Sequence, residues 1–220
     1  MGNLNLIQAR HNMVEQQIRP WDVLDQDVLS LLDQLPRDEF VPENYRNLAY
    51  ADLRIPLGHG QVMLEPKVEA RIIQALEVQK SDKVLEVGTG SGYMTALLAT
   101  LGDHVYSVEL HSELQVEARL RLAAHDIANV TLESGDAAQA WDTHAPYDVI
   151  VITGSMPLMP EHYRHSLKVG GRMFVVVGDA PAMEAHLITR LGQGEFTDQV
   201  LFETDVPPLE NAQQPNRFTL

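Results

Sequence analysis

The sequence of 220 residues contains no cysteine. Disulfide bonds and thiolate metal sites are therefore excluded, because both need the cysteine sulfur. A chain without cysteine suits a reducing compartment, and we expect a cytoplasmic protein. No apolar run is long enough to span a bilayer, and Met1–Asn12 lacks the apolar centre of a secretion signal. The sequence therefore predicts no contact with a membrane.

Basic residues are scarce in this chain. There are 16 lysines and arginines against 31 aspartates and glutamates, which gives a formal net charge of −15. Nucleic acids and anionic membranes bind proteins through basic surfaces, so neither is an expected partner. Nine histidines are present. The pair His162 and His165 has no third ligand at a suitable spacing, however, and we expect no metal ion.

The segment Lys83–Tyr93 reads KVLEVGTGSGY. An apolar run ends around Glu86 and passes into glycines at three alternate positions, which are Gly88, Gly90 and Gly92. A helix-like stretch follows at once. In α/β sheets, this succession of strand, glycine turn and helix forms the binding site of a nucleotide-like cofactor. Glycine lets the backbone approach the ligand, and the helix N-terminus offers unpaired N–H groups.

The spacing of the glycines indicates which cofactor to expect. A dinucleotide fingerprint reads G-x-G-x-x-G, but here the third glycine comes one residue early and Tyr93 occupies the expected position. Glu86 is expected to place a carboxylate near the ligand, where it would repel phosphates and attract a cation. The segment therefore predicts S-adenosylmethionine, which carries a sulfonium and an ammonium group and no phosphate. An NAD-dependent dehydrogenase is the alternative.

Strands and helices alternate in the rest of the chain, which is typical of a parallel sheet covered on both faces. Ser112 and Gln115 predict a capping box for a helix that runs to about Asp126. A further helix is predicted over Pro157–Leu167, followed by a turn at Lys168–Gly171. The predicted strands after the glycine turn are HVYSVEL, NVTLESGD, YDVIVITG and RMFVVVG, with HLITRL and QVLFETDV as a terminal antiparallel pair.

An N-terminal region of about 80 residues does not alternate in this way. We expect an amphipathic helix that ends at Pro20, a second helix capped by Asp25 and a third over Glu65–Val78. Tyr50–Glu65 lacks periodicity and is a candidate active-site loop. The predicted organisation is one globular domain in three parts, namely N-terminal helices and active-site loop (1–80), a core with the sheet and the cofactor site (81–210) and a flexible tail (211–220).

Two acidic residues stand where strands are predicted to end. Glu109 follows Gly88 by 21 positions, where an acidic side chain can accept hydrogen bonds from both ribose hydroxyls of a cofactor. Asp136 follows Gly135 at the end of the next predicted strand, close to the expected place of an adenine amino group. A helix N-cap is the other interpretation of Asp136, and the two roles are compatible.

Seven segments of the chain, from about Met13 to Leu209, resemble the motifs of one known family in order and at matching intervals. They are LPRDEFVPE, AYADLRIPLGHGQ, VLEVGTGSGYMTALLA, YSVEL, SGDA, APYDVIVITG and LKVGGRMFVVVG. The family that they resemble is the protein-L-isoaspartate O-methyltransferase family. The resemblance implies an α/β, Rossmann-like class I methyltransferase fold, with a seven-stranded and mostly parallel sheet and an N-terminal helical extension. It also implies that S-adenosylmethionine esterifies the α-carboxylate of isoaspartyl residues, which leaves S-adenosylhomocysteine and starts repair of damaged proteins.

The resemblance extends to a set of site residues. The implied partner is a protein or peptide with a carboxylate acceptor, and an unidentified small molecule is the alternative. The cofactor contacts that we expect are Glu86, Gly88, Thr89, Gly90, Gly92, Glu109, Asp136 and Ala137. The expected substrate pocket consists of His59, Gly60, Leu64 and Glu65.

The chain departs from the family in the active-site loop. The family reads Thr-Ile-Ser, then Ala or Gln, then Pro, and the Ser is its catalytic residue. Here the run is Val62–Pro66, so Leu64 occupies the Ser position and Glu65 lies beside it. The basic residue of the family's Arg-Phe-Val-Pro-Leu element is also not evident at Asp205–Leu209. Three hypotheses stay open: an isoaspartyl methyltransferase with a substituted site, a paralogue with another acceptor, and a non-catalytic protein that binds S-adenosylmethionine.

Overall fold

A computed structural model of the chain describes residues 2–216, with side chains from residue 5 onward. The strands are β1 (Ile55–Gly58), β2 (Gln61–Met63), β3 (Lys83–Val87), β4 (His104–Glu109), β5 (Val130–Ser134), β6 (Tyr147–Met156), β7 (Leu167–Asp179), β8 (Ala182–Gly192) and β9 (Glu195–Thr204). β1 and β2 form a separate antiparallel hairpin. The other strands form one seven-stranded sheet in the order β5-β4-β3-β6-β7-β8-β9.

The direction of the strands confirms the predicted sheet. β5, β4, β3, β6 and β7 are mutually parallel, whereas β8 is antiparallel to both of its neighbours. The sheet is therefore mostly parallel, and β8 with β9 forms the predicted terminal antiparallel pair. Between β3 and β6 the strand order reverses, and open α/β sheets bind ligands beyond the carboxyl ends of the strands at such a switch point.

The central strands are mostly apolar because both faces of the sheet are covered. Side chains alternate between the faces, so Val84 of β3 and Val149 of β6 lie in one buried cluster. Their neighbours Leu85 and Ile150 lie in a second cluster on the opposite face. The two clusters make a three-layered core that fixes the ends of β3 and β6 next to each other.

Helices cover both faces of this sheet. The α-helices of the described residues are α1 (Gly2–Met13), α2 (Gln26–Gln34), α3 (Pro66–Leu76), α4 (Tyr93–Leu101), α5 (Ser112–Ala124) and α6 (Glu161–His165). The side chain of Asp25 accepts hydrogen bonds from the backbone N–H groups of Asp27 and Val28, which confirms the predicted cap of α2. No helix of the described residues is long and apolar enough to cross a bilayer.

The N-terminal helix differs in detail from the prediction. α1 ends at Met13, and the chain then continues through a π turn, Val14–Ile18, and a 3-10 turn, Arg19–Trp21. Pro20 lies inside the 3-10 turn, where its fixed φ is tolerated although it lacks an N–H group. Met13, Ile72 of α3 and Val176 of β7 belong to one buried cluster, so this region packs onto the sheet.

Three predicted boundaries were wrong. α5 is capped by His111 and not by Ser112, whose hydroxyl donates to Glu113 instead. Gln115 completes no capping box, since its side-chain oxygen accepts from Ser134. The helix predicted over Pro157–Leu167 is only the short α6. β7 already begins at Leu167, with an irregular register against β6 where the turn was predicted.

Residues 211 and 212 pack against the body of the fold. The side-chain nitrogen of Asn211 donates to Asp136 at 2.8 Å, and Ala212 is buried in the second cluster. Both residues fall in the predicted flexible tail, and residues 217–220 of that tail lie outside the described part of the chain. The division at residues 80 and 210 stays a prediction.

Candidate active site

A cleft with about 900 Å³ of empty space, part of it open to solvent, lies at the carboxyl ends of β3, β4 and β6. Its lining contains four carboxylates and, among the described residues, no lysine or arginine. The carboxylates are Glu69, Glu109, Asp136 and Glu210. Predicted site residues that the structure brings together in this lining are Leu64, Gly88, Thr89, Gly90, Glu109, Asp136 and Ala137.

The turn after β3 needs glycine at Gly88. Its φ is +95°, and a Cβ atom would lie 2.3 Å from the hydroxyl oxygen of Thr153. That hydroxyl lies 2.9 Å from the carbonyl oxygens of Val87 and Gly88, to which it donates. The backbone N–H of Gly88 donates to the carbonyl of Val108 at 2.9 Å. The turn is therefore rigid and carries no side chain between the sheet and a ligand.

Glu109 is fixed at the end of β4 by two backbone amides. Its Oε2 accepts the N–H of Gly90 at 2.8 Å, and its Oε1 accepts the N–H of His111 at 3.0 Å. The side chain is 5% exposed and lines the cleft. A carboxylate has about four lone-pair sites, so each oxygen of Glu109 can still accept a hydroxyl hydrogen. This geometry suits the two hydroxyls of a ribose.

Asp136 lines the cleft and organises the loop after β5. Its Oδ1 accepts the N–H of Ala138 at 3.0 Å, and its Oδ2 accepts the side-chain N–H of Asn211. No helix begins at this residue, so it caps a turn and not a helix. Ala137 is buried beside it, and its carbonyl accepts the hydroxyl of Tyr163 at 2.5 Å.

Glu86 does not line the cleft, which corrects the expected placement of its carboxylate. The residue is 0% exposed, and its Oε2 accepts the hydroxyls of Thr95 and Ser107 at 2.5 and 2.6 Å. Burial raises the pKa of Glu86 to about 8, against the lowering effect of these two hydroxyls. The side chain is therefore mostly neutral at pH 7 and cannot supply the negative charge that the sequence assigned to it.

Gly92 also lies outside the cleft lining. It is the N-cap of α4 with a φ of +84°, and a Cβ atom there would lie 3.1 Å from the Cβ of Ala118 on α5. Gly92 therefore allows α4 and α5 to pack closely. Tyr93, which follows it, is buried in the core and not set against a ligand.

Two of the residues predicted for the substrate pocket, His59 and Gly60, lie away from the cleft. His59 and Gly60 form the tip of the β1–β2 hairpin, with φ values of +53° and +74°. Neither lines the cleft. The ring of His59 stacks on that of His111 with centroids 4.5 Å apart, at the outer rim. Inward-facing parts of the hairpin line the cleft instead, namely Leu57, Gln61, Val62 and Met63.

Leu64 lines the cleft, whereas Glu65 turns away from it. Leu64 is 7% exposed, and its backbone carbonyl accepts a guanidinium N–H of Arg37 at 2.5 Å. The Oε1 atom of Glu65 accepts from Arg54 at 3.0 Å, and the residue is absent from the lining. The expected repulsion between Glu65 and an acceptor carboxylate is therefore weaker than the sequence suggests, because Arg54 neutralises it.

Sequence reasoning missed the buried pair Arg37 and Glu69. Arg37 is 0% exposed, donates to the carbonyl of Ala49 at 2.9 Å and forms an ion pair with Glu69 Oε2. Burial raises the pKa of Glu69 to about 7, although the Arg37 charge opposes this. A signal was present, since Glu69 follows Val68 and precedes Ile72 on the apolar face of α3. A charge on such a face indicates a buried partner.

A strap formed by residues 205–212 closes one side of the cleft. The Ser155 hydroxyl donates to the carbonyl of Val206 at 2.7 Å, which anchors the strap to β6. Glu210 Oε1 lies 2.7 Å from the side-chain nitrogen of Gln61 and 2.9 Å from Nε2 of His111. Glu210 thereby joins the hairpin to the loop after β4. The cleft is bounded by three separate parts of the chain.

The residues present fit S-adenosylmethionine. A cleft with four carboxylates and no cation among its described lining residues favours a cationic ligand without phosphate. Glu109 offers acceptors for ribose hydroxyls, and the loop at Asp136 and Ala137 can accommodate the adenine. Among the described residues, no group of three histidines or carboxylates could hold a metal ion.

The chain is similar to known proteins over most of its length. A family model described as protein-L-isoaspartate(D-aspartate) O-methyltransferase matches residues 8–213. A protein-L-isoaspartate O-methyltransferase of Rhodopseudomonas palustris is 39% identical over 207 residues, covering 92% of this chain and 95% of that protein. One from Vibrio parahaemolyticus is 44% identical over 158 residues, covering 72% of this chain and 76% of that protein.

A solved structure shows the same fold. It is a putative protein-L-isoaspartate O-methyltransferase from Plasmodium falciparum in complex with S-adenosyl-L-homocysteine, with a TM-score of 0.75 and 19% sequence identity. The match covers 91% of this chain and 98% of the other. At that identity the likeness shows the fold alone.

Proposed function

Since the chain belongs to the protein-L-isoaspartate(D-aspartate) O-methyltransferase family, we propose that it methylates isoaspartyl carboxylates in proteins or peptides. The methyl donor is S-adenosylmethionine, and S-adenosylhomocysteine is the product. The observation that carries the proposal is the cleft at the switch point of the sheet, with amide-anchored Glu109 and no described basic residue in its lining.

The cofactor, when bound, supplies an electrophilic methyl group on a positively charged sulfur. Glu109 binds the ribose, and Asp136 with Ala137 holds the adenine. Gly88 and Gly90 let the backbone approach the methionine part of the cofactor without a side chain in between. Three of the lining carboxylates, those of Glu109, Asp136 and Glu210, are not paired with Arg37 and favour the positive charges of the donor, so the product, which lacks the sulfonium charge, is held less strongly.

The acceptor needs no strong general base. An aspartyl-like acid has a pKa of about 4 and is already ionised at neutral pH. The chain's residues therefore have to orient the acceptor oxygen behind the methyl–sulfur bond and to exclude water. Leu57, Met63 and Leu64 provide an apolar wall at the hairpin side of the cleft that serves the second task.

The chain differs from the family pattern at position 64, where it has Leu64 and the family has serine. A leucine side chain has no hydrogen-bonding group, whereas a serine hydroxyl can hold the acceptor oxygen. Loss of one such hydrogen bond to a charged group weakens binding by about 1.5–3 kcal/mol, which corresponds to roughly a tenfold to hundredfold slower reaction. No observation on the described residues favours a different acceptor or a protein that binds the cofactor without catalysis.

A peptide pair tests the function. One peptide carries an isoaspartyl residue, and the other has the same sequence with ordinary aspartate. With a donor labelled on its methyl group, we expect base-labile label in the isoaspartyl peptide and only background in its partner. Equal labelling of the two, or labelling no greater than with heat-inactivated protein, would contradict the proposed function.

A further inference from the structure

Glu69 places a carboxylate at the acceptor side of the cleft. It lies in the first turn of α3, is 3% exposed and lines the cleft. One guanidinium group, that of Arg37, donates both to Glu69 Oε2 and to the backbone carbonyl of Leu64. Glu69 therefore lies close to Leu64, the position at which the family resemblance implies the acceptor-holding hydroxyl.

The charges of this pair limit how an anion can enter. Arg37 and ionised Glu69 together are neutral, and both are buried. An acceptor carboxylate that contacts ionised Glu69 meets a like charge, and two carboxylates in contact do not both stay ionised. One proton on Glu69 removes this repulsion and makes Glu69 a hydrogen-bond donor to the acceptor.

Resting on the proposed function, we propose that Glu69 takes up a proton when the isoaspartyl carboxylate binds and donates it in a hydrogen bond to the non-reacting acceptor oxygen. Glu69 thus holds the acceptor where Leu64 cannot. Arg37 touches no substrate and is a positioning residue, because it fixes both Glu69 and the backbone of Leu64.

The reaction balances with Glu69 in this role. The reacting oxygen forms a bond to the methyl carbon while the carbon–sulfur bond breaks, and that electron pair stays on sulfur. The negative charge of the acceptor and the positive charge of the sulfonium disappear together. Glu69 keeps its proton during the transfer and releases it to solvent when the neutral ester leaves.

The surroundings of Glu69 support titration near neutral pH. The charged and titratable groups that face it are Arg37, Glu65 at the start of α3, Glu86 of β3 and Tyr93 of α4. Burial raises the pKa of Glu69 to about 7, and Glu65 raises it further against Arg37. Burial raises the pKa of Glu86 to about 8 and that of Tyr93 above its usual range.

The first test uses the unmodified protein, so it does not depend on a variant that folds. An isoaspartyl peptide is titrated by calorimetry at about pH 8 into protein saturated with S-adenosylhomocysteine, in two buffers of different ionisation enthalpy. Because Glu69 is mostly ionised there, we expect uptake of about one proton for each peptide bound. Binding without proton uptake would overturn the inference.

The second test compares pH profiles of kcat/KM. In the unmodified protein the parameter falls by about tenfold for each pH unit above the pKa of Glu69, because the donor proton is lost. In Glu69→Gln the amide donates at every pH, so the profile is flat between about pH 6 and 9. In Glu69→Leu, kcat/KM at pH 6 is about tenfold to hundredfold lower than in the unmodified protein. A decline that persists in Glu69→Gln would overturn the inference.

A matched control is Glu77→Gln, at the exposed C-terminal end of the same helix. It should keep the unmodified pH profile, and affinity for S-adenosylhomocysteine should be unchanged in all three variants. The experiments distinguish a failure of the inference from a failure of the proposed function. Labelled isoaspartyl peptide without proton uptake overturns the role of Glu69 alone. No labelling at any pH contradicts the proposed function and the inference together.

Discussion

The Oε2 atom of Glu109 lies 2.8 Å from the backbone nitrogen of Gly90, so one hydrogen bond joins the end of β4 to the glycine turn after β3. Its other oxygen accepts the N–H of His111 at 3.0 Å. The two amides hold the carboxylate at the cleft before any ligand arrives. Such preorganisation reduces the entropy lost on binding, so we expect cofactor affinity to depend on Glu109.

We expect Glu109→Ala to weaken S-adenosylhomocysteine binding by about tenfold to hundredfold, since charged hydrogen bonds contribute roughly 1.5–3 kcal/mol. Isothermal titration calorimetry measures the affinity directly. Glu113→Ala is the matched control, because Glu113 lies on α5 near the same loop with a side chain that is 70% exposed. Equal affinities of the Glu109 variant and the unmodified protein would contradict the ribose contact.

Gly92→Ala should destabilise the fold more than it disturbs the cofactor. An alanine at position 92 has to adopt a φ of +84°, and its Cβ lies 3.1 Å from the Cβ of Ala118. Gly194→Ala is the control, because its φ is +77° with nothing within 4 Å of the added Cβ. Both lose about 1–2 kcal/mol of stability to backbone strain, and the additional loss in Gly92→Ala measures the packing of α4 on α5.

Urea unfolding gives both free energies of unfolding, and calorimetry gives cofactor affinity below the transition. We expect the Gly92 variant to be the less stable of the two and to bind the cofactor like the unmodified protein. A Gly92 variant as stable as the Gly194 variant would show that the helices do not require this glycine.

Glu86 makes stability depend on pH. Its pKa is about 8 in the folded protein against a model-peptide value of 4.5, so the folded state binds more protons than the unfolded state between these values. Stability therefore falls as pH rises through this interval, by at most about 1.4 kcal/mol for each pH unit. Glu86→Gln removes this dependence, because the amide does not titrate and its oxygen can accept from Thr95 and Ser107.

The measurement is the difference in free energy of unfolding between Glu86→Gln and the unmodified protein at about pH 6 and pH 9. We expect the variant to gain relative stability at the higher pH, by on the order of a few kcal/mol. A difference that is the same at both pH values would show that Glu86 does not carry a proton in the folded state.

Leu64→Ser tests whether the missing hydroxyl limits the reaction. If Glu69 already holds the acceptor, a hydroxyl at position 64 adds less than about tenfold to kcat/KM, because the position of the acceptor oxygen is fixed before the hydroxyl is added. The control is Leu64→Ala, which creates a similar cavity without a polar group. Turnover in the Ser variant that exceeds the Ala variant by about a hundredfold would assign the acceptor to residue 64 instead.

The sequence predicted the sheet because its signals are local and periodic. Continuous apolar runs, the glycine turn and the acidic residue 21 positions later placed β3, β4 and Glu109 correctly in the fold. The antiparallel pair predicted from HLITRL and QVLFETDV was also confirmed. Asp25 was identified as a helix cap from its type and position alone.

The sequence could not predict what covers a side chain from elsewhere in the chain. Glu86 was expected at the ligand because it precedes the glycine turn, yet Thr95 and Ser107 enclose it. His59 was expected in the pocket, but the tip of the hairpin carries it outward. Glu69 was missed because its partner Arg37 is 32 residues away.

A crystal structure of the complex with S-adenosylhomocysteine and an isoaspartyl peptide tests the central claim most directly. We predict that Glu109 contacts the ribose hydroxyls and that the isoaspartyl carboxylate lies within hydrogen-bond distance of Glu69, with one oxygen in line with the sulfur. A peptide bound with its carboxylate away from both the sulfur and Glu69, or a cofactor bound outside the Glu109 cleft, would contradict the account.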